Sequence, residues 1–150
     1  MLKRKVAPAV FLTLYAPLSG EVLSGNSPIA FLATKPQIFV LFLAIYGIPV
    51  MLIREAATRW KLNAAGVILL GFAYGIYNEG PLAGTLFLYD HAPMPVFDWY
   101  GCAFGINVSW ASTILFYHAF NSVFAPIAIA NYLFQDRAQK SWITKPVMIG

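Results

Sequence analysis

Charge is scarce in this chain of 150 residues: Asp, Glu, Lys and Arg make up 11% of it, against about 25% in an ordinary soluble domain. A water-soluble fold of this length would need more polar groups to cover its surface. Hydrophobic residues supply 59% of the chain, and the mean hydropathy is +0.67. Hydrocarbon is the solvent that accepts such a composition. Cysteine is nearly missing too. With Cys102 alone, an intrachain disulfide and a thiolate metal cluster are both excluded. Internal repeats and low-complexity linkers are absent, so the length allows one compact unit. The net charge of +4 is not a nucleic-acid signal, because the basic residues sit between apolar runs rather than along one stripe. No nucleic-acid partner is expected.

What is present is a set of four apolar segments, at about 6–20, 37–53, 62–78 and 107–134. A membrane-crossing helix needs about 20 residues, within a range of roughly 17–25. In hydrocarbon every backbone N–H and C=O must be satisfied within the segment. The runs lack the alternation of a barrel strand, so helices are expected. The fold class predicted is an all-α, polytopic transmembrane bundle of about four spanning helices. The first run follows a basic start, as a secretory signal does, but Pro17 and Glu21 interrupt the small residues a cleavage site would need. It reads as an uncleaved span that either extends into 21–23 or re-enters. The chain turns apolar again at 146–150, which reads as the start of a further span in a longer protein.

Orientation follows from Lys and Arg. Lys3, Arg4, Lys5, Arg54, Arg59, Lys61, Arg137, Lys140 and Lys145 fall on one side of an alternating four-span arrangement, and only Lys35 falls on the other. The 28-residue connection 79–106 has no Lys or Arg but carries Glu79, Asp90 and Asp98. Both ends are therefore expected in the cytoplasm, with a short interfacial helix in the outer connection. Trp60, Trp99, Tyr100, Trp110 and Trp142 stand near the expected boundaries, where amphipathic rings favour the headgroups. The expected setting is the cell membrane, multi-pass, with the bilayer and helix–helix contacts, to other chains or a second copy, as partners.

Three groups of residues could carry chemistry. On a helix advancing 100° per residue, Asn107, His118, Asn121 and Ser122 share one face of the fourth span with small residues. Polar groups inside membranes face the bundle interior or a cavity, so this face is either a hydrogen-bonding seam or a functional wall. In the third span Gly71 and Gly75 form a small-xxx-small pair suited to close helix packing. Asn78 and Glu79 follow on the same side, and Gly80-Pro81 is expected to break the helix. Glu79 abuts a span with no basic neighbour: solvated at the interface it is inert, buried it is a proton carrier or base. Glu79 and His118 could also ligate zinc, but a catalytic zinc takes about three protein ligands. His91, in a loop, is the remaining candidate. Glu55 and Arg59 stand at i,i+4 and read as a solvated pair on a cytoplasmic helix end. The Asn107-Val108-Ser109 glycosylation pattern lies at the membrane surface and carries no weight.

The run Tyr77-Asn78-Glu79-Gly80-Pro81-Leu82-Ala83-Gly84-Thr85-Leu86-Phe87 resembles the first motif of the CPBP family, the CAAX-protease-like and bacteriocin-processing membrane proteins. That motif has two adjacent glutamates, three residues, then Arg-Gly. Glu79 matches the second glutamate and Gly84 the glycine, while Asn78 and Ala83 stand at the other two positions. Ile114-Leu115-Phe116-Tyr117-His118 resembles the second motif, a phenylalanine four residues before a histidine, with Ile114 in place of the phenylalanine. The resemblance implies an intramembrane metallohydrolase, complete or relict, with Glu79 and His118 catalytic and holding zinc. The reading adopted from the residues themselves is a non-enzymatic membrane bundle or subunit. A transporter or channel fragment, with a pathway along Asn107, His118, Asn121 and Ser122, is the third class.

Overall fold

A computed structural model describes residues 2–90 and 93–143, with side chains from residue 7 onward. The apolar stretch at 146–150, expected to open a further span, lies outside the described residues. The fold is mostly helical. Helix α1 (Leu2–Pro17) runs into a π-helical turn, π1 (Leu18–Val22). A short α2 (Ile29–Thr34) precedes α3 (Pro36–Phe42), π2 (Leu43–Gly47) and α4 (Ile48–Arg59), which are continuous. Helix α5 (Ala64–Tyr77) ends in π3 (Asn78–Leu82). Helix α6 (Val108–Tyr117), π4 (His118–Phe124) and α7 (Ala125–Leu133) form the last rod. The four rods pack as a bundle: the first against the second and fourth, the third against the second and fourth. The second and fourth, at 24 and 26 residues, are long and apolar enough to cross a membrane.

Proline explains where the α-helices give way. Each π-turn contains a proline or has one within two residues of its end: Pro17, Pro49, Pro81 and Pro126. Proline has no N–H to return to the carbonyl four residues back, and a widened turn or an inserted partner accommodates the loss. Pro49 deprives the Ile45 carbonyl of its α-helical donor, and the Tyr74 hydroxyl donates to that carbonyl at 3.0 Å instead. Pro81 does not break the third rod as expected. The Ala83 N–H reaches the Asn78 carbonyl at 2.9 Å, and the helix carries on through π3.

Glycines set the helix spacing. A methyl group on Gly71 would lie 2.8 Å from the Ala119 Cα, and one on Gly75 would lie 3.1 Å from the His118 Cβ. One on Gly47 would strike the Thr13 carbonyl, and one on Gly20 would meet the Tyr46 ring at 3.1 Å. The rods can therefore touch backbone to side chain around His118. The connection after π3 holds two 3-10 turns (Thr85–Phe87 and Pro95–Phe97) and an antiparallel hairpin, β1 (Cys102–Ala103) with β2 (Ile106–Asn107). Among its described residues there is no α-helix, so the expected interfacial helix is replaced by turns rich in Gly and Pro.

At the end of the bundle where α4 stops, charge is buried. Arg54 is 1% exposed and Glu55 0%. The Arg54 guanidinium lies 3.4 Å from the centre of a Trp142 ring and donates to the carbonyls of Ala138 (2.7 Å), Lys140 (2.9 Å) and Arg137 (3.3 Å). The Glu55 carboxylate accepts from Arg59 Nε at 2.9 Å, from the Trp142 N–H at 3.0 Å and from the Ser141 hydroxyl. The expected Glu55–Arg59 pair is present but is not a solvated one: it clamps the segment after α7 onto α4. Between this clamp and the far half of the bundle lies a dry layer of Leu12, Val50, Val123, Ile127 and Ala130, all 4% exposed or less.

Candidate functional site

The other polar centre is assembled where the four π-turns converge. π1 supplies Glu21, π2 supplies Tyr46, π3 supplies Asn78 and Glu79, and π4 supplies His118 and Ser122. A π-turn inserts one residue and locally redirects side chains, a feature frequent at functional sites. Glu79 is 8% exposed and His118 1%, and His118 Nε2 lies 2.7 Å from Glu79 Oε1. The Asn78 amide nitrogen donates to the same oxygen at 3.2 Å. Glu79 Oε2 accepts from the Thr85 hydroxyl, whose oxygen in turn accepts from Trp110 Nε1 at 3.0 Å. A carboxylate holding three donors is firmly placed.

Both ring nitrogens of His118 have partners. Nε2 faces the Glu79 carboxylate at 2.7 Å and the Asn78 amide nitrogen at 3.2 Å. Nδ1 lies 3.1 Å from the Ser122 hydroxyl. A neutral imidazole accepts there, whereas an imidazolium donates, and the hydroxyl rotates to serve both. Three rings surround the imidazole. Tyr46 stacks at 6.1 Å with 28° between planes, and Tyr74 and Tyr117 present edges at 5.5 and 5.7 Å. Glu21, opposite, accepts from the hydroxyls of Tyr46 and Ser27.

Glu79 and His118 form part of the wall of a cavity of about 590 Å³. Its polar side carries Glu21, Glu79, His118 and Tyr117, its apolar side includes Leu41, Ile45 and Ile114, and no Lys or Arg lines it. Every described buried side-chain nitrogen and oxygen has a partner within the protein. The space is therefore lined by held groups, and its acceptors outnumber its cations.

The structure separates the polar face drawn on the fourth span. Asn107 is buried but caps α6: its Oδ1 accepts from the Trp110 N–H at 3.0 Å, and its amide donates to the carbonyls of Phe97 (2.9 Å) and Leu88 (3.1 Å). Asn121 is exposed, and its carbonyl accepts from the Ser19 hydroxyl at 3.1 Å. The 100° step holds only for an α-helix. π4 winds more slowly, so Ser122 stays with His118 while Asn121 rotates out. Gly71 and Gly75 lie against Ala119 and against Leu115 and His118, at the level of the site. Among the described residues no three His, Cys, Asp or Glu side chains come together to hold a metal ion. His91 lies outside the described residues. Sequence reasoning missed Glu21 and Tyr46. The signal for Glu21 was an acid ending an apolar run, the same feature that marked Glu79.

No curated protein and no solved structure matches the chain. A family model does, over residues 10–149, and it is not that of the CPBP family. This overturns the resemblance drawn from 77–87 and 114–118. Those positions lack the first glutamate and the arginine. Spanning nearly the whole sequence, the match places the protein in the family described as an uncharacterized membrane protein family.

Proposed function

We propose that the protein is a four-span membrane protein of the cell membrane, with its basic ends on the cytoplasmic side. Its cavity binds a small amphipathic molecule with a cationic head, which the Glu79 carboxylate, held by His118, attracts. The observation that carries this reading is the 2.7 Å pair, buried in the wall of a cavity of about 590 Å³ whose lining holds Glu21 and Glu79 but no Lys or Arg. An ammonium group seated between Glu21 and Glu79 would offset their charge, and the lining includes the aromatic residues Tyr117 and Trp110. This is binding rather than bond-making, in keeping with a non-enzymatic bundle.

The span count is supported by rod length. The 16 residues of α1 with the 5 of π1, and the 14 of α5 with the 5 of π3, rise about 30 Å each, near the hydrocarbon thickness. Large apolar side chains are exposed on all four rods, among them Leu14, Val40, Leu69 and Phe120. On a protein in water they would be an aggregation liability, whereas lipid accepts them.

Two experiments test the reading. Cys102 is the single thiol and lies in the connection expected outside. A membrane-impermeant maleimide added to intact cells should label it, and labelling only after lysis would invert the topology. For the cavity, purified protein in neutral detergent is heated with hexyltrimethylammonium, hexyl sulfate or a neutral hexyl glycerol. The cation should raise the midpoint saturably by about 3–5 °C at ten times its Kd, and Glu79→Gln should remove the shift. Equal responses to all three probes would overturn the cationic ligand, and no response to any would overturn the cavity as a binding site.

A further inference from the structure

A second cavity lies at the opposite end of the bundle, with the reverse charge. It has a volume of about 370 Å³ and is lined by Arg54, Thr58, Lys61, Asn131 and Gln139, over an apolar floor that includes Val67 and Ile127. No Asp or Glu lines it. This end of α4 carries Arg54, Arg59 and Lys61 with one carboxylate, Glu55, so three cations against one anion leave a formal charge of +2. Arg54 is committed to the carbonyls after α7, and its Nε and Nη2 also approach Asn131 Oδ1 at 3.4 and 3.5 Å. With that oxygen engaged, Asn131 offers its amide N–H groups to the cavity. Lys61 is exposed at the mouth and has no carboxylate within ion-pair distance among the described residues. Trp60, beside it, is 66% exposed, a placement that suits an indole at the headgroup level.

We infer that this cavity holds the phosphate of an anionic phospholipid. The phosphate faces Lys61 and the Asn131 amide in the field of Arg54, and the first acyl carbons lie along Leu62, Val67 and Ile127. Basic pockets between helix ends on the cytoplasmic side are where such headgroups bind. Apolar floor and cationic rim together match a lipid better than a free anion. The inference rests on the four-span reading, which the Cys102 labelling tests separately, so failure of one is distinguishable from failure of the other.

The site can be probed without unfolding the protein. Lys61 has φ of +54°, the left-handed region that Asn tolerates well. Lys61→Asn therefore removes the charge and keeps the turn. Delipidated protein in neutral detergent is offered phosphatidylglycerol or phosphatidylcholine with identical chains, and retained lipid is counted by native mass spectrometry. Wild type should retain phosphatidylglycerol at least fivefold over phosphatidylcholine. Lys61→Asn should lose that preference, and Lys35→Asn, at the other end of the bundle, should keep it. Equal retention of both lipids, an unaffected Lys61→Asn, or equal loss in both variants would overturn the site. Competition of phosphatidylglycerol by an equal concentration of glycerol 1-phosphate would overturn the lipid in favour of a soluble phosphate.

Discussion

The two buried polar centres of this bundle are built from similar parts and finished differently. At one end, Arg54, Glu55 and Arg59 take their partners from the chain itself. Carbonyls of 137–140, the Trp142 ring and N–H, and the Ser141 hydroxyl hold them, and of the three only Arg54 borders the cavity at that end. At the other, Glu79 and His118 satisfy each other and a few neighbours, and about 590 Å³ beside them is left unfilled. A centre closed by its own chain works as a joint. A centre with held groups facing a space has room for a ligand, as proposed above. Buried charge alone does not separate the two; what occupies the adjoining volume does.

That contrast predicts where substitution costs stability and where it costs binding. The largest loss should come from Glu55→Ala, which leaves Arg54 buried without its anion and the Trp142 N–H without its acceptor. Removing one partner of a buried pair costs about 3–5 kcal/mol, read as a lowered unfolding midpoint in detergent. Trp142→Ala should follow at about 3 kcal/mol, and the double variant should lose less than the two single losses added, because both act through one network. Equal and additive losses would dissolve the idea of a single clamp. Gly71→Val should cost about 1–3 kcal/mol by overpacking, since its Cβ would lie 2.8 Å from the Ala119 Cα. The smallest stability change should be Glu79→Gln, at about 1–2 kcal/mol, together with loss of the hexyltrimethylammonium shift. A Glu79→Gln variant as unstable as Glu55→Ala would make both centres joints.

The hydrophobic pattern of the sequence outlined the four rods to within a few residues at most ends, because apolar runs of that length have few other uses. Glu79 and His118 stood out for a similar reason, each being an ionisable group set in or against such a run. Their meeting was not legible: they lie 39 residues apart, and only the close approach allowed by Gly71 and Gly75 joins them. The angular placement of Asn121 depended on an α-helical step that Pro126 and π4 cancel. Arg54 and Glu55 read as surface charge because their partners, 77–87 residues away, have no local signature. Backbone carbonyls and an N–H carry no sequence identity, so a clamp made of them is invisible until the chain is folded.

On the second rod Tyr46, Val50 and Arg54 follow one another at one-turn intervals, and Val50 has no exposed surface. Leu12 on the first rod and Val123 on the fourth have none either, and Ala130, two turns beyond Val123, is equally closed. The bundle is thus shaped as a cup rather than a tube. On the proposed binding reading, a ligand beside His118 rests on that apolar floor and is separated by it from the Arg54 end.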